Sequence, residues 1–336
     1  MWPIPSSLCT AALVLLGACG SSPGTGSQNP PPPDAGVETP TAPGWTALRQ
    51  LPVPLGEVTL VAASGKLYVI GGYDTRVNVQ VYDLAADTWA SGPRLPLGTD
   101  NAGAVVDGTK IDVFGGEATP AVQILDLGAG SWSAGPDLPS PRFSSVVEKV
   151  GSLVHLVGGW SFDRSNNVSL SSHTAFDLGT GTYLTTPLAP LGAARNHAYS
   201  GVIGGKLYVT GGRAPGHEGD DGTNVASTEV YDPATDAWSP LPDLPTPRSG
   251  GASAVLDGKL YVIGGGLPGN TVYKAVHRFD PVAGTWEQLP DMPIELTGHR
   301  AVAVGPDIYV VGGFRTSNGL RQGFGGVPYV WRYRPP

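Results

Sequence analysis

A pair of adjacent glycines ends a run of β-branched or aromatic residues six times in this chain. The pairs close at Gly72, Gly116, Gly159, Gly212, Gly265 and Gly313. A turn signal such as "SGK" or "DGK" precedes most of the runs, and another run of small or β-branched residues precedes the turn. Such a repeat is one supersecondary unit that cannot bury its apolar face alone. The repeat therefore restricts the fold to a stack or ring of similar units.

Two further runs follow each of the first five pairs. The third run ends at Asp83, Asp126, Asp177, Asp232 and Asp280, and the fourth carries Trp89, Trp132, Tyr183, Trp238 and Trp286. Four short strands with turns between them describe one blade of a β-propeller. We expect the glycines to provide positive φ or close backbone approach. We expect the Asp residues to form Asx-type turns and the aromatic residues to pack between blades.

This unit resembles the kelch repeat, and the resemblance covers residues 45–336. It implies an all-β, six-bladed kelch-type β-propeller. The expected blades are 51–95, 96–139, 140–189, 190–245, 246–293 and 294–336.

The sixth copy ends at its third run, "VPYVWRYRPP". The missing fourth run is found at the other end of the repeats, in "GWTALRQLP", where Trp45 precedes "LP" as the aromatic residue does in other copies. We predict that residues 44–50 complete the last blade. Pairing the two ends closes the ring and removes its exposed strand edges.

Composition agrees with this fold and excludes one class of partner. Charged residues make up 14% of the chain and hydrophobic residues 40%, which suits a large all-β domain. The net charge is -8, opposite in sign to a nucleic-acid-binding surface. We therefore expect no nucleic acid partner, and we expect a monomer.

The first residues form a separate segment. The run "LCTAALVLLGAC" is too short to span a bilayer and has the character of a secretory signal. Its end resembles the bacterial lipobox, which implies a signal peptide at 1–18 and a lipidated Cys19. No Asp follows Cys19 directly, which in Gram-negative lipoproteins implies the outer membrane. The n-region has no Lys or Arg, so plain secretion is the alternative.

A flexible linker and one folded domain are expected after this segment. Residues 19–43 are rich in Pro, Gly and Ser and cannot bury a core, so they suit a tether. The propeller is then 44–336. The two cysteines are Cys9 and Cys19, so the propeller has no disulfide.

One face of the ring has the longer loops. The segment from the glycine pair to the third run is short in the first two blades and longer in the next four. Loops on a rigid scaffold commonly carry binding function. Neutral variation of surface loops is the alternative.

The same face is predicted to carry a row of arginines. The residues sixteen positions before the first glycine of each pair are Leu55, Thr99, Arg142, Arg195, Arg248 and Leu296. We predict that the three arginines form a wall facing an anion, since Arg matches carboxylate and phosphate. The kelch resemblance implies acidic peptides or acidic sugars as ligands at this rim. The alternative is that each Arg bonds carbonyls of the neighbouring blade.

Further candidate ligand-binding residues directly follow the glycine pairs. Tyr73, Trp160 and Phe314 are candidate platforms for sugar rings, and Arg213 is included with them. Packing over their own loops is the alternative. His197 joins the candidate set because it lies near the start of strand one. The kelch resemblance makes a structural role the stronger expectation for His197 and His299.

No catalytic or metal motif stands out. The segment "HEGDDGTN" at 217–224 is dense in oxygen ligands, which would suit calcium, but it lacks the EF-hand spacing. A solvated loop is the stronger expectation, and we expect no metal or cofactor. There is no P-loop, dinucleotide fingerprint, G-x-S-x-G or H-E-x-x-H motif.

The leading functional hypothesis is a surface-tethered, non-catalytic module that binds a protein or glycan through its loop-rich face. The alternative is an enzyme similar to sialic-acid mutarotases, with the three arginines and Glu57 or Glu117 as a base. A galactose oxidase-like radical site is excluded because it needs a Cys within the propeller. A purely structural spacer is the third class, since fold alone does not separate these functions.

Overall fold

The computed structural model describes residues 40–73, 75–116, 119–163, 166–214, 222–266, 271–315 and 325–336. All of them belong to one compact unit, Val37–Pro336. Strands and turns account for their regular structure. Among these residues, no helix has the length and apolar character required to cross a membrane.

The strands of the first half of the chain are β1 (Trp45–Ala47), β2 (Thr59–Ala63), β3 (Lys66–Ile70), β4 (Val79–Asp83), β5 (Thr88–Ser91), β6 (Gly103–Asp107), β7 (Lys110–Phe114), β8 (Val122–Asp126), β9 (Ser131–Ala134), β10 (Val146–Val150), β11 (Leu153–Val157), β12 (Trp160–Asp163), β13 (Asn166–Ser169), β14 (His173–Asp177) and β15 (Thr182–Tyr183). Those of the second half are β16 (Tyr199–Ile203), β17 (Lys206–Thr210), β18 (Arg213–Ala214), β19 (Thr223–Asn224), β20 (Thr228–Asp232), β21 (Ala237–Leu241), β22 (Ala252–Leu256), β23 (Lys259–Gly266), β24 (Val272–Asp280), β25 (Thr285–Leu289), β26 (Arg300–Val304), β27 (Asp307–Val311) and β28 (Val330–Tyr333).

These strands form six four-stranded antiparallel sheets, one per predicted blade. The sheets are β2-β3-β4-β5, β6-β7-β8-β9, β10-β11-β14-β15, β16-β17-β20-β21, β22-β23-β24-β25 and β1-β28-β27-β26. The six-bladed all-β propeller predicted from the repeat is therefore confirmed.

The ring closes as predicted. β1 pairs antiparallel with β28, with Trp45 opposite Tyr333 and Ala47 opposite Trp331. The Trp45 and Tyr333 rings stack with centroids 4.4 Å apart. The start of the described chain thus supplies the outer strand of the last blade.

The glycine pair is required at the contact between blades. Gly158 has φ +61°, and a Cβ there would lie 2.7 Å from the carbonyl oxygen of Arg195 in the next blade. The amide of Gly159 donates to that same carbonyl at 2.9 Å. The other five pairs make the equivalent bond to the following blade. Any side chain at the first glycine would break this contact, which explains the repeat.

The two other repeated positions also have their predicted roles. Asp126 accepts hydrogen bonds at 2.8 Å from the amides of Gly128 and Ala129, which is an Asx-type turn. On β21, Trp238 packs on Tyr231 with ring centroids 5.2 Å apart. Its indole N–H donates to Ala189 of the preceding blade at 2.8 Å.

The core lies between blades rather than within one sheet. One buried cluster joins Leu55, Leu67 and Tyr82 of the first blade to Val311 and Val330 of the last. Strand two is buried on both faces in every blade because each sheet is covered by two neighbours. The innermost strands β2, β6, β10, β16, β22 and β26 surround a channel along the ring axis.

Candidate functional site

A closed ring of backbone hydrogen bonds surrounds one mouth of the channel. It joins the residues fourteen positions before each first glycine, and we call it the axial ring. Its members are Glu57, Asn101, Ser144, His197, Gly250 and Gly298. The amide of each donates to the carbonyl of the equivalent residue in the preceding blade, over 2.6–3.0 Å. The amide of Glu57 donates to Gly298, which completes the circle.

All six ring residues have left-handed backbone conformations. The two glycines have φ of 66° and 67°, and the four non-glycine residues have φ from 49° to 53°. A non-glycine residue held there costs on the order of 1 kcal/mol or more, and such strain concentrates at functional sites. The fold thus places four polar side chains around one mouth at a conformational cost.

The imidazole of His197 is held by residues from two blades. Asn196 donates its amide N–H to the Ser169 hydroxyl at 2.7 Å, so its amide oxygen faces His197 and accepts from Nδ1–H. Nε2 then accepts from the hydroxyl of Ser144, 3.0 Å away. His197 is therefore a neutral imidazole with its proton on Nδ1.

The hydrogen bonds from Ser144 to His197 and from His197 to Asn196 resemble those of a nucleophile, a base and an orienting group in a catalytic triad. Electrostatics oppose that role. A guanidinium nitrogen of Arg213 lies 3.0 and 3.1 Å from the two ring nitrogens. Burial, Arg213 and Arg300 hold the pKa of His197 well below its usual range. A base that cannot hold a proton beside two cations is poorly suited to catalysis, so the cluster is better suited to binding.

Glu57 and two arginines complete the mouth. Arg300 lies 3.8 Å from the Glu57 carboxylate, and its side chain is 25% exposed. Burial raises the pKa of Glu57, and the charges of Arg300 and Arg213 act against that rise. Two cations, from the fourth and sixth blades, thus act on one buried carboxyl at the mouth.

The predicted wall of Arg142, Arg195 and Arg248 is not present as an exposed surface. All three are buried, with relative exposures of 5%, 1% and 0%. Each guanidinium donates to the carbonyl of the first glycine in its own blade, sixteen residues on. Both the prediction of a ligand-facing wall and the alternative of bonds to the neighbouring blade's carbonyls are therefore wrong.

The remaining bonds of these arginines are also internal. Arg195 forms an ion pair with Glu229 within its blade. Arg248 donates to Val262 at 3.3 Å and lies 3.0 Å from Nδ1 of His277. The side chains turn inward because the buried carbonyls at the glycine pair need donors.

The predicted rim aromatics divide into two groups. Phe314 is 3% exposed, and its ring covers Gly56 and Gly298, so it packs under the mouth and offers no stacking platform. Trp160 is half-buried and stacks on Phe143 with centroids 6.1 Å apart. Tyr73 is also half-buried. These two keep exposed surface on the rim.

Two other histidine and loop predictions have different outcomes. His299 is fully buried, with Nε2 3.0 Å from the carbonyl of Ile263, so it is structural as expected.

Of the segment proposed for calcium, residues 217–221 lie outside the described residues, as does Glu117.

Hairpins extend the loop-rich face around the mouth. β12 and β13 form one in the third blade, and β18 and β19 form another in the fourth. In the fifth blade, β23 and β24 continue beyond the glycine pair as far as the pairing of Gly266 with Val272. The predicted elaboration of this face thus takes the form of paired strands beside the axial ring.

Sequence reasoning missed Asn101, Ser144 and Arg300. The usable signal for Asn101 and Ser144 was the fixed offset of fourteen residues, where four polar residues and two glycines occur and no apolar residue does. Arg300 lies at another offset, so this signal would not have found it. The positions sixteen residues before each first glycine, which include the three arginines, are buried instead.

Comparisons with known proteins agree with this architecture. Residues 176–313 match the family described as KLHDC2/KLHL20/DRC7 Kelch-repeats domain, and residues 54–96 match the Kelch motif. The solved structure titled "Structure of YjhT" superposes with a TM-score of 0.72, covering 84% of this chain and 95% of that one. Its sequence is 16% identical, so the likeness is one of fold.

Sequence relatives are longer than the matched region. Kelch-like protein terF of Aspergillus terreus is 27% identical over 70% of this chain and 55% of its own length. Kelch-like ECH-associated protein 1B of Danio rerio is 33% identical over 35% of this chain and 18% of its own length. The influenza virus NS1A-binding protein of Homo sapiens is 33% identical over 29% and 14%. The chain therefore spans about half or less of these relatives.

Proposed function

The chain is a kelch-repeat β-propeller, and we propose that it is a non-catalytic binding module that holds an acidic protein segment across the axial ring. The observation that carries this proposal is the convergence of Arg213 and Arg300 on the mouth. Both cations act on Glu57, the one acid of the axial ring, whose pKa is raised by burial. The mouth therefore offers net positive charge within a chain of net charge -8.

The surroundings of the mouth suit a polypeptide ligand. Asn101 and Ser144 provide polar atoms on the ring, and Trp160 and Tyr73 provide half-buried aromatic surface outside it. Aromatic and Arg side chains dominate the energy of protein interfaces. One relative, the influenza virus NS1A-binding protein, is named for binding a protein, which supports a protein ligand here.

The proposal is tested by screening the chain against acidic and neutral peptide arrays, with an acidic glycan panel beside them. We expect acidic peptides to bind and the variant Arg213→Ala/Arg300→Ala to lose about tenfold or more in affinity. The matched control is Arg49→Ala/Arg94→Ala, which removes the same charge from exposed positions outside the mouth. Equal loss in both double variants would contradict a site at the mouth. Binding of acidic glycans alone would replace the peptide by a sugar ligand.

A sugar-processing enzyme of the sialic-acid mutarotase kind is the second candidate. Glu57 favours it, because burial raises the pKa of its carboxyl toward the range of an acid–base group. The binding role stands ahead because Glu57 is only 6% exposed. Anomer exchange of sialic acid followed by NMR, with Glu57→Gln as control, decides between them: exchange that needs Glu57 would establish the enzyme.

We further propose that the module is exported and anchored by a lipid on Cys19, probed by metabolic labelling with palmitate. Residues 1–39 lie outside the described residues, so support comes from "LGAC" and the Pro-rich linker alone. Label should enter the chain and be absent from Cys19→Ser. Secretion of an unlabelled chain would support the alternative of plain export.

A further inference from the structure

The axial channel has the size and wall of a small-ligand site. Its volume is about 480 Å³, within the usual range of ligand pockets. Aliphatic side chains such as Leu60, Ala104, Val147 and Ala301 are the most frequent along the wall beyond the axial ring, while polar atoms contribute more than half of its exposed surface. The inner edge of each innermost strand also faces the channel, because its only strand partner lies outward.

Glu148 interrupts this wall. It lies on β10, ten residues before the first glycine of its pair. The other five blades carry Val, Gly or Ala at that position: Val61, Val105, Gly201, Ala254 and Val302. Among the described residues that line the channel, Glu148 is the only carboxylate. A charged side chain at a position otherwise filled by small apolar residues needs a physical reason.

The Glu148 carboxylate has a hydrogen-bond donor, and among the residues that the structure describes it forms no ion pair. The Ser200 hydroxyl donates to it at 2.8 Å, and the amide of Ser200 in turn donates to the Ser253 hydroxyl at 3.0 Å. Lys149 is the next residue on the strand, so its side chain points to the other face. Its ammonium lies 2.6 Å from Asp107.

The other charged or titratable groups of the channel wall are also engaged elsewhere. Arg300 pairs with Glu57, and His197 is neutral between Ser144 and Asn196. Burial without a counter-charge raises the pKa of Glu148 to about 7, and the Ser200 hydrogen bond acts against that rise. An ammonium beside Glu148 would compensate this burial.

We propose that the channel binds a primary aliphatic amine, with the ammonium at Glu148 and Ser200 and the alkyl chain along the aliphatic wall. The axial ring favours such a slender ligand. Hydrogen-bonded backbones lie about 5 Å apart, so a circle of six is only about 10 Å across between backbones. A methylene chain fits within that width and a folded peptide does not.

The binding has a defined pH dependence. Glu148 gains its negative charge as pH rises through about 7. An alkylammonium stays protonated to about pH 10, as a lysine side chain does. Affinity should therefore rise between pH 6 and pH 8.5. His197 adds no charge over this range because its pKa is well below its usual value.

The experiment measures n-pentylamine binding to the full chain by calorimetry at pH 6 and pH 8.5, with n-pentanol as the neutral probe. We expect binding of the amine to strengthen at the higher pH, and Glu148→Gln to weaken it about tenfold or more. Glu287→Gln is the matched control, since it removes the same charge from a side chain 59% exposed on β25. Ser200→Ala should move the pH midpoint upward by removing the hydrogen bond that favours the carboxylate.

Two results would overturn the proposal: no amine binding at pH 8.5 in the wild-type chain, or undiminished binding in Glu148→Gln that keeps its melting temperature. A second arm uses Nα-acetyl-lysine methylamide. Glu148-dependent binding of both probes identifies a lysine side chain as an acceptable source of the amine. Binding of pentylamine alone restricts the source to small molecules. This test involves neither Arg213 nor the peptide array, so its failure leaves the proposed acidic-peptide site untouched.

Discussion

The amide of Glu57 donates a hydrogen bond of 2.7 Å to the carbonyl of Gly298. Glu57 belongs to the first blade and Gly298 to the last. Their bond completes the axial ring on the inner side of the propeller, while the pairing of β1 with β28 completes the outer side. The propeller is therefore closed twice, and the candidate site lies on the inner closure.

The outer closure should be essential to stability. Trp45 is 6% exposed and stacks on Tyr333, so Trp45→Ala should lower the free energy of unfolding by about 3–5 kcal/mol. Deleting residues 44–50 should destabilise the whole ring further. Thermal and denaturant unfolding measure both effects. Trp132→Ala, at a half-buried aromatic position of another blade, should cost less; equal costs would argue against a special role for closure.

Two glycines of the third blade distinguish the cost of a left-handed backbone conformation from the cost of a close contact. Gly158 and Gly151 have nearly the same φ, +61° and +63°, but no atom lies within 4 Å of a Cβ built on Gly151. Both alanine variants should lose about 1–2 kcal/mol from the left-handed conformation. Gly158→Ala should lose about a further 1–3 kcal/mol of unfolding free energy, because its Cβ meets the Arg195 carbonyl. Similar unfolding free energies for the two variants would contradict the blade-contact role.

The buried arginines should behave as structural residues. Arg248→Ala removes the guanidinium donors to the carbonyls of Gly264 and Val262, although the Tyr199 hydroxyl still donates to Gly264. It also leaves a buried cavity, so it should cost about 3 kcal/mol or more in unfolding free energy. Arg49→Ala, at an exposed ion pair, should change the melting temperature little. An Arg248→Ala variant that kept its melting temperature and lost only ligand binding would restore the wall hypothesis.

Acid should weaken the contact between the third and fourth blades. His155 and His173 are buried with Nδ1 and Nε2 2.8 Å apart, and burial lowers the pKa of each to about 4. Unfolded histidine titrates near 6.5, so the unfolded chain takes up protons first. Stability is then complete above pH 6.5 and falls as pH drops toward 4.

The variant His155→Leu/His173→Leu tests this assignment. It keeps a similar side-chain volume, and the Ala189 carbonyl bonded to His173 retains the indole N–H of Trp238. Its melting temperature should match the wild type at pH 7.5 within a few degrees and fall less steeply toward pH 4.5. Parallel pH profiles for the two proteins would show that other groups cause the acid sensitivity.

Sequence alone determined the number of blades, their boundaries and the closure by residues 44–50. These features follow from short-range signals, because a left-handed glycine, an Asx turn or a strand-length apolar run has the same meaning in every copy. The burial of Arg195 and the partial exposure of Arg300 could not be predicted from such short-range signals. Both residues lie near the start of the first strand of their blades. The packing of the neighbouring blades decides whether each side chain faces the core or the mouth.

Tertiary structure alone brought Ser144 to His197, the charge of Arg213 near Glu57, and Glu148 to Ser200 in the channel. Each of these interactions joins different blades, which lie far apart in the sequence. A repeat predicts that equivalent positions share a backbone environment, and the axial ring confirms this for six residues. It does not predict which of those side chains meet across the axis, because that depends on the closed ring and not on any one blade.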